Sequence, residues 1–167
     1  MTLRRQILSS PEIVSDLASA AEQRFREAEH LLRGGRFVGA VYLFGLACEM
    51  WLKLACFRFR GATPVTRVDS QLGPAKAWMA GRAPFISPEK YHSLCFWAEF
   101  LILLRTVEGS GMHSLWAGEL RHHVVNRLYQ DWKIDMRYRS PTISKRQAWR
   151  VYNDVAWVRQ VWQDLWR

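Results

Sequence analysis

One stretch decides the fold of this chain: Phe37-Val-Gly-Ala-Val-Tyr-Leu-Phe-Gly-Leu-Ala-Cys-Glu-Met-Trp-Leu-Lys-Leu-Ala-Cys-Phe57. Nearly every position in it is hydrophobic or small, so a helix formed here has no solvated face and is expected at the centre of a helical bundle. The stretch is long enough to span a bilayer, but Glu49 and Lys53 interrupt it. Two charges at that depth favour a central helix of a globular protein over a membrane span.

The two charges in this helix are four positions apart with the acid first, which places them on one face in the better orientation for an ion pair. A charge buried alone is costly, so further partners are expected from elsewhere in the fold. The expected donors are Arg137 and Arg139. The alternative is that Glu49 and Lys53 emerge at the edge of the helix, with the lysine reaching solvent.

The remaining elements also have helical signals. Ser10-Pro11-Glu12 and Ser87-Pro88-Glu89 are helix starts, with a capping hydroxyl followed by proline at the first helical position. The first helix is expected to end at Gly34-Gly35 and the helix after Pro88 near Gly109-Ser-Gly111. A short helical piece is expected over 74–79.

His113 to about Gln130 reads as a further helix, with apolar residues at Leu115, Leu120, Val124, Leu128 and Trp132 facing inward. Ser144-Lys-Arg-Gln147 has the spacing of a capping box and opens the last helix, which is expected to bury Trp149 or Tyr152, together with Val155, Trp162 and Trp166. No strand-like alternation of useful length occurs. The sequence therefore predicts an all-α, antiparallel four- to five-helix bundle, one domain over 1–167 with residues 1–10 as an extension.

Basic residues are concentrated late in the chain, which has a net charge of +9. Eight lysines or arginines face two acids over 121–150, where Tyr129, Trp132 and Tyr138 are interleaved. Phosphates attract cations and bases stack on flat rings, so this stretch is typical of a nucleic-acid groove. A solvated basic face on a tryptophan-rich bundle is the alternative.

The spacing of the cysteines and histidines does not predict a disulfide or a metal site. Cys48, Cys56 and Cys95 lie in apolar surroundings and read as buried thiols of a reducing compartment. The amino terminus lacks the pattern of a secretory signal, so a cytoplasmic location is expected. His92 and Cys95 share a helix face, but no second pair has metal-site spacing, and neither a metal nor a cofactor is predicted.

Three segments carry a resemblance to a known family. They are Leu31-Leu-Arg-Gly-Gly-Arg-Phe37, Gly39-Ala-Val-Tyr-Leu-Phe-Gly-Leu-Ala-Cys-Glu-Met-Trp-Leu-Lys53 and Met136-Arg-Tyr-Arg139. Their pattern and order resemble the HEPN domain (higher eukaryotes and prokaryotes nucleotide-binding). The resemblance implies a homodimeric helical bundle from prokaryotic toxin-antitoxin, mobile-element or defence systems, often beside a small nucleotidyltransferase. It also implies that a metal-independent ribonuclease would use an Arg followed, after four to six residues, by a His.

The expected late position departs from that motif. No His follows Arg137-Tyr138-Arg139, and without imidazole the group suited to proton transfer near neutral pH is missing. Arg105 with His113 has seven intervening residues, and Arg24 with His30 lies on the first helix.

The resemblance then implies the subset with Arg-Tyr in place of the catalytic motif, whose members bind a nucleotide, RNA or a protein. We expect a non-catalytic module whose polar cluster is formed by Glu49, Lys53, Arg137, Tyr138 and Arg139. Two alternatives stay open. One is a ribonuclease that uses Arg105 and His113, or the pair His122-His123. The other is a structural module that docks a partner through the tryptophan-rich last helix, which includes Trp157, Trp162 and Trp166.

Overall fold

A computed structural model describes residues 12–83, 92–108, 114–138 and 142–167 of the chain. Of Ser114, Arg137 and Tyr138 it describes only the backbone. Six helices make up most of this part: α1, Val14–Arg33; α2, Phe37–Phe59; α3, Asp69–Ala80; α4, Leu94–Val107; α5, formed by Ser114–Leu120, the π-helical Arg121–Leu128 and Tyr129–Asp131; and α6, Lys145–Val161. A 3₁₀-helix, Ile134–Tyr138, follows α5.

α2 lies at the centre of the bundle and packs against α1, α4 and α6. Its buried side chains lie on all sides of the helix and extend from Ala40 to Phe57. By length and composition α2 could cross a membrane, and 78% of its most apolar window is buried inside the protein. The prediction of an all-α helical bundle is confirmed. Within the described residues the sole β-type pairing is an isolated bridge between Ile13 and Arg67.

The turn between α1 and α2 follows the sequence prediction. Gly34 caps α1 and Gly35 has a φ of 72°, a left-handed conformation that glycine adopts without steric cost. Such a short connection makes α1 and α2 antiparallel neighbours. The predicted boundary on the carboxyl side of α1 is therefore confirmed.

The two predicted Ser-Pro-Glu helix starts differ from the structure. Glu12 does not lie in a helix, because its carbonyl accepts a hydrogen bond from Val68 N at 2.9 Å, and α1 begins at Val14. α4 begins at Leu94, where Ser93 Oγ accepts from Phe96 N at 3.2 Å, so this serine is the cap. Ser10, Pro11 and 87–89 lie outside the described residues. α3 also starts earlier than predicted, at Asp69.

α5 contains an unusual segment of wide helical turns. Leu120, Val124, Leu128 and Trp132 are buried as predicted, but Leu115 is exposed, so that part of the prediction was wrong. A spacing of four residues drifts around an α-helix. In the wider π-helical turns of Arg121–Leu128 the same spacing falls slightly short of a full turn, which offsets that drift along α5.

Trp132 fastens the end of α5 to the central helix. Its indole Nε1 donates to the Tyr42 carbonyl at 3.1 Å, and its ring lies directly over Gly45. A methyl group added at Gly45 would overlap that ring. The glycine in the middle of α2 is thus required by close packing.

α6 begins as predicted, with the capping box of Ser144 and Gln147. Gln147 N donates to Ser144 Oγ at 3.3 Å, and Ser144 N donates to Gln147 Oε1 at 2.9 Å. Val155 is buried, while Tyr152 is half-buried and contacts Phe25 and Phe44. The predicted burial of Trp162 and Trp166 on this helix was wrong, because both are half-buried and follow its last residue, Val161. Of the two aromatic alternatives for the inward face, Tyr152 packs on the core.

Candidate functional site

The charged pair of α2 is buried, so the edge-of-helix alternative does not hold. Lys53 Nζ donates to Glu49 Oε1 at 2.5 Å, and the two side chains are 9% and 4% exposed. The ammonium group also lies 5.4 Å from the centre of the Trp97 ring, within the range of a cation–π contact. Both charges therefore have partners inside the fold.

Glu49 has a second partner that the sequence reasoning missed. His92 Nδ1 lies 3.0 Å from Glu49 Oε1 and 3.2 Å from Oε2. The His92 side chain is 50% exposed, so the pair connects a buried carboxylate to the protein surface. His92 immediately precedes the cap of α4, and no spacing in the sequence relates it to α2.

The other members of the predicted polar cluster are described only in part. The 3₁₀-helix that contains Arg137 and Tyr138 packs against α2, but their side chains lie outside the described part of the structure. Arg139 lies outside it altogether. Their pairing with Glu49 stays a prediction.

A second polar cluster joins α5 to α6. His123 Nδ1 lies 2.8 Å from Asp154 Oδ1, and Arg127 Nε lies 3.2 Å from Asp154 Oδ2. The Asp154 side chain is 1% exposed. The His123 ring stacks on Trp157 with 4.5 Å between centroids, which fixes its plane. The sequence analysis included His123 but not Asp154, because the two residues lie on different helices.

The position of Asp154 affects its own titration and that of a neighbour. Burial raises the pKa of Asp154, although His123 and Arg127 each act to lower it. Burial also raises the pKa of Cys48, and the charges of Glu49 and Asp154 raise it further. The two carboxylates thus act on the same thiol in the core.

The second cluster has groups suited to acid–base chemistry. A carboxylate at Nδ1 orients an imidazole and leaves Nε2 for proton transfer. Nε2 of His123 lies 3.4 Å from Glu119 Oε2. His122 is adjacent, with its Nε2 3.4 Å from Arg127 Nη1. The π-helical turns bring these side chains together, and such turns frequently occur at functional sites.

Three of the six basic side chains that the structure describes within 121–150 form ion pairs with acids. Arg121 binds Glu99 at 2.8 Å, and Arg150 binds Asp131 at 2.6 Å. Lys133 lies 3.0 Å from the centre of the Tyr129 ring. Lys145 and Arg146 are exposed on the first turn of α6. Of the three described basic side chains in this stretch that form no ion pair, Lys145 and Arg146 lie together at the beginning of α6.

The pair proposed from spacing, Arg105 and His113, is only half described. Arg105 Nη1 donates to the carbonyls of Leu165 at 2.7 Å and Asp164 at 3.3 Å, which attaches the segment after α6 to α4. His113 lies outside the described residues, so their juxtaposition stays untested.

The predicted burial of the cysteines is confirmed for Cys48 and Cys56 and was wrong for Cys95. Cys48 and Cys56 are buried, Cys95 is half-buried, and all three are free thiols. Among the described residues, no group of three or more histidine, cysteine or acidic side chains has the arrangement of a metal site.

The fold and these clusters define the class of protein: an all-α helical bundle with two buried carboxylates, each paired with a histidine and a cation. No protein-family model, no curated protein and no solved structure matches the chain.

Proposed function

We propose that this protein is a non-catalytic RNA-binding module and that single-stranded RNA binds at the beginning of α6. The observation that carries the proposal is the exposure of Trp149. It is 39% exposed, whereas the other eight tryptophans are buried or half-buried. Trp149 lies one turn after Lys145 and Arg146, so a flat ring and two cations share a surface.

This arrangement matches the physical needs of single-stranded RNA. Bases stack on exposed aromatic rings, and the phosphates follow neighbouring cations. Two cations in the first turn of a helix face the positive end of its dipole, which is unfavourable unless an anion is bound. No acidic residue lies in that turn of α6. Binding an anion would therefore remove an unfavourable interaction.

A cleft next to this surface has room for part of a ligand. Its volume is about 410 Å³, and it is lined by 35–39 together with Thr142 and Ile143. Arg36 contributes a further cation to the cleft wall. The volume falls within the range of small-ligand sites. A nucleotide at one end of a bound strand would fit there.

The HEPN resemblance adds a context to this proposal. It would make the protein a regulatory homodimer in a prokaryotic toxin-antitoxin, nucleotidyltransferase-associated or defence system. Light scattering at several protein concentrations tests the dimer, and co-purification with a nucleotidyltransferase from the same genome tests the partner.

Fluorescence anisotropy of a labelled single-stranded RNA tests the binding surface. Trp149→Ala is expected to weaken binding about 5- to 150-fold, the loss that corresponds to one stacked base. The double variant Lys145→Ala/Arg146→Ala is expected to weaken binding and to reduce its salt dependence. Arg67→Ala, which removes an exposed arginine elsewhere, serves as the control. Equal binding by all four proteins would refute the proposed surface.

A ribonuclease is the second candidate, and the 2.8 Å contact between His123 and Asp154 favours it. His123 would accept the proton of a ribose 2′-hydroxyl, whose oxygen attacks the phosphorus. His122 would donate a proton to the leaving 5′-oxygen, giving a cyclic phosphate and a free 5′-hydroxyl. Arg127 would bind the non-bridging oxygens.

Incubation of purified protein with mixed RNA separates the two candidates. The ribonuclease predicts cleavage that resists EDTA and is lost in His123→Ala and Asp154→Asn. His113→Ala tests the alternative pair with Arg105, and His30→Ala on α1 is the control. Binding without cleavage by the native protein supports the non-catalytic proposal.

A further inference from the structure

The far end of α2 carries a group of arginines around one tryptophan. The Arg58 guanidinium carbon lies 5.0 Å from the centre of the Trp166 ring, and that of Arg167 lies 5.7 Å from it. Arg105 binds the carbonyl of Leu165, the residue before Trp166. We call Arg58, Arg105, Trp166 and Arg167 the Trp166 cluster.

The charges of the Trp166 cluster are not balanced. Within the described part of the chain, none of its three arginines forms an ion pair with a carboxylate. Of the other described arginine side chains, eight form such pairs, whereas Arg36, Arg60, Arg82 and Arg146 do not; the paired ones are Arg24, Arg26, Arg33, Arg67, Arg121, Arg127, Arg150 and Arg159. Arg58 donates to the Ala62 carbonyl at 2.8 Å, which is a neutral partner. The charges of Arg58 and Arg167, both beside the Trp166 ring, therefore repel each other, which favours an added anion.

Buried donors point to the same conclusion. Arg105 Nε and Trp166 Nε1 are buried and have no hydrogen-bond partner among the described residues. Arg60 Nη1, at the same end of α2, is also buried without a hydrogen-bond partner among the described residues. An indole N–H and a guanidinium N–H can only donate, so the group that satisfies them must be an acceptor. Water would satisfy the donors but would leave the charge unbalanced.

We propose that the Trp166 cluster is a binding site for a phosphate group. A tetrahedral oxyanion supplies several acceptors and negative charge at once, and arginine is suited to bind it through parallel hydrogen bonds. The site lies on α2, α4 and the segment after α6, and none of its residues belongs to the proposed RNA surface. The inference therefore does not depend on the RNA-binding proposal.

Isothermal titration of the whole chain with inorganic phosphate, at constant ionic strength, tests the site. Trp166→Phe keeps an aromatic ring beside Arg58 and Arg167 but removes the N–H donor. We expect phosphate binding to weaken about tenfold in this variant, the usual size of one lost charge-assisted hydrogen bond. Trp162→Phe is the matched control and should bind like the native protein.

Additional controls separate phosphate binding from loss of folding and from the proposed RNA binding. Circular dichroism establishes that each variant is folded, and Trp149→Ala should retain full phosphate binding. Titration with AMP distinguishes the source of the phosphate: tighter binding than inorganic phosphate indicates a nucleotide, and weaker binding indicates the free ion. Absence of phosphate binding by the native protein, or equal binding by the Trp166 and Trp162 variants, overturns the inference.

Discussion

His92 Nδ1 lies 3.0 Å from Glu49 Oε1, although the two residues are 43 positions apart in the chain. Lys53, one turn further along α2, binds the same oxygen at 2.5 Å. The buried carboxylate thus has a partner from its own helix and another from the approach to α4. This contact joins His92, directly before the cap of α4, to the central helix.

The first prediction concerns this contact. Glu49→Ala is expected to destabilise the protein by about 3–5 kcal/mol, because it leaves the Lys53 ammonium buried without its counter-charge. His92→Ala is expected to cost less, since its side chain is half exposed. In a double-mutant cycle followed by urea unfolding, the two should couple by about 0.5–3 kcal/mol. Strict additivity would show that the contact does not contribute.

The same cycle tests the prediction that Arg137 also binds Glu49. If that pairing exists, Glu49→Ala and Arg137→Ala will couple as well. Lys145→Ala, which changes an exposed cation on α6, provides the uncoupled reference.

The second prediction concerns the contact of Trp132 with Gly45. Gly45→Ala is expected to destabilise the protein by about 1–3 kcal/mol or more, because the new methyl group overlaps the indole ring. Thermal unfolding measures the change. Gly118→Ala in α5 is the matched control, since no atom lies within 4 Å of the position of its added carbon. That variant should gain about 0.5–1 kcal/mol from helix propensity alone.

The third prediction concerns the thiols. Burial raises the pKa of Cys48 and Cys56 strongly, and partial burial raises that of Cys95 to a smaller extent. Because the thiolate is the reactive form, iodoacetamide should label Cys95 first and should reach the other two only after unfolding. Peptide mass spectrometry of native and urea-treated samples reads out the order. Early labelling of Cys48 would contradict the described core.

The fourth prediction concerns Asp154 and pH. Its pKa in the folded protein is above the usual value of 3.8, so the native state binds this proton more tightly than the unfolded chain. The contribution of Asp154 to stability is therefore complete below about pH 3.8 and decreases as pH rises through the folded-state pKa. As pH rises from about 3.8 through the folded-state pKa, the free energy of unfolding of the native protein should decrease relative to that of Asp154→Asn.

Asp69 supplies a control of opposite sign. The hydrogen bond and charge of Arg67 lower the pKa of Asp69, so its contribution is present above pH 3.8 and is lost as pH falls. Relative to Asp69→Asn, the native protein should gain stability as pH rises. Parallel profiles for the two asparagine variants would contradict the assignment.

Local signals predicted the helices well and their beginnings less well. The capping box at Ser144 depends on residues three positions apart, and the structure contains it as predicted. The start expected near Pro11 failed because the Glu12 carbonyl binds Val68 N, a partner more than fifty positions away. Leu115 was misplaced for a local reason: it lies five positions before Leu120, and five residues do not return to the same face in the α-helical turns of Ser114–Leu120.

The sequence by itself determined the all-α class and the central place of α2, and it placed Glu49 and Lys53 on one face of that helix. Each depends on hydrophobic periodicity or on a spacing of four within one helix. Only the tertiary structure decided that Glu49 meets His92, that His123 meets Asp154, and that Trp166 lies among arginines. Those contacts join separate elements, and their geometry is fixed by helix packing that no local spacing encodes.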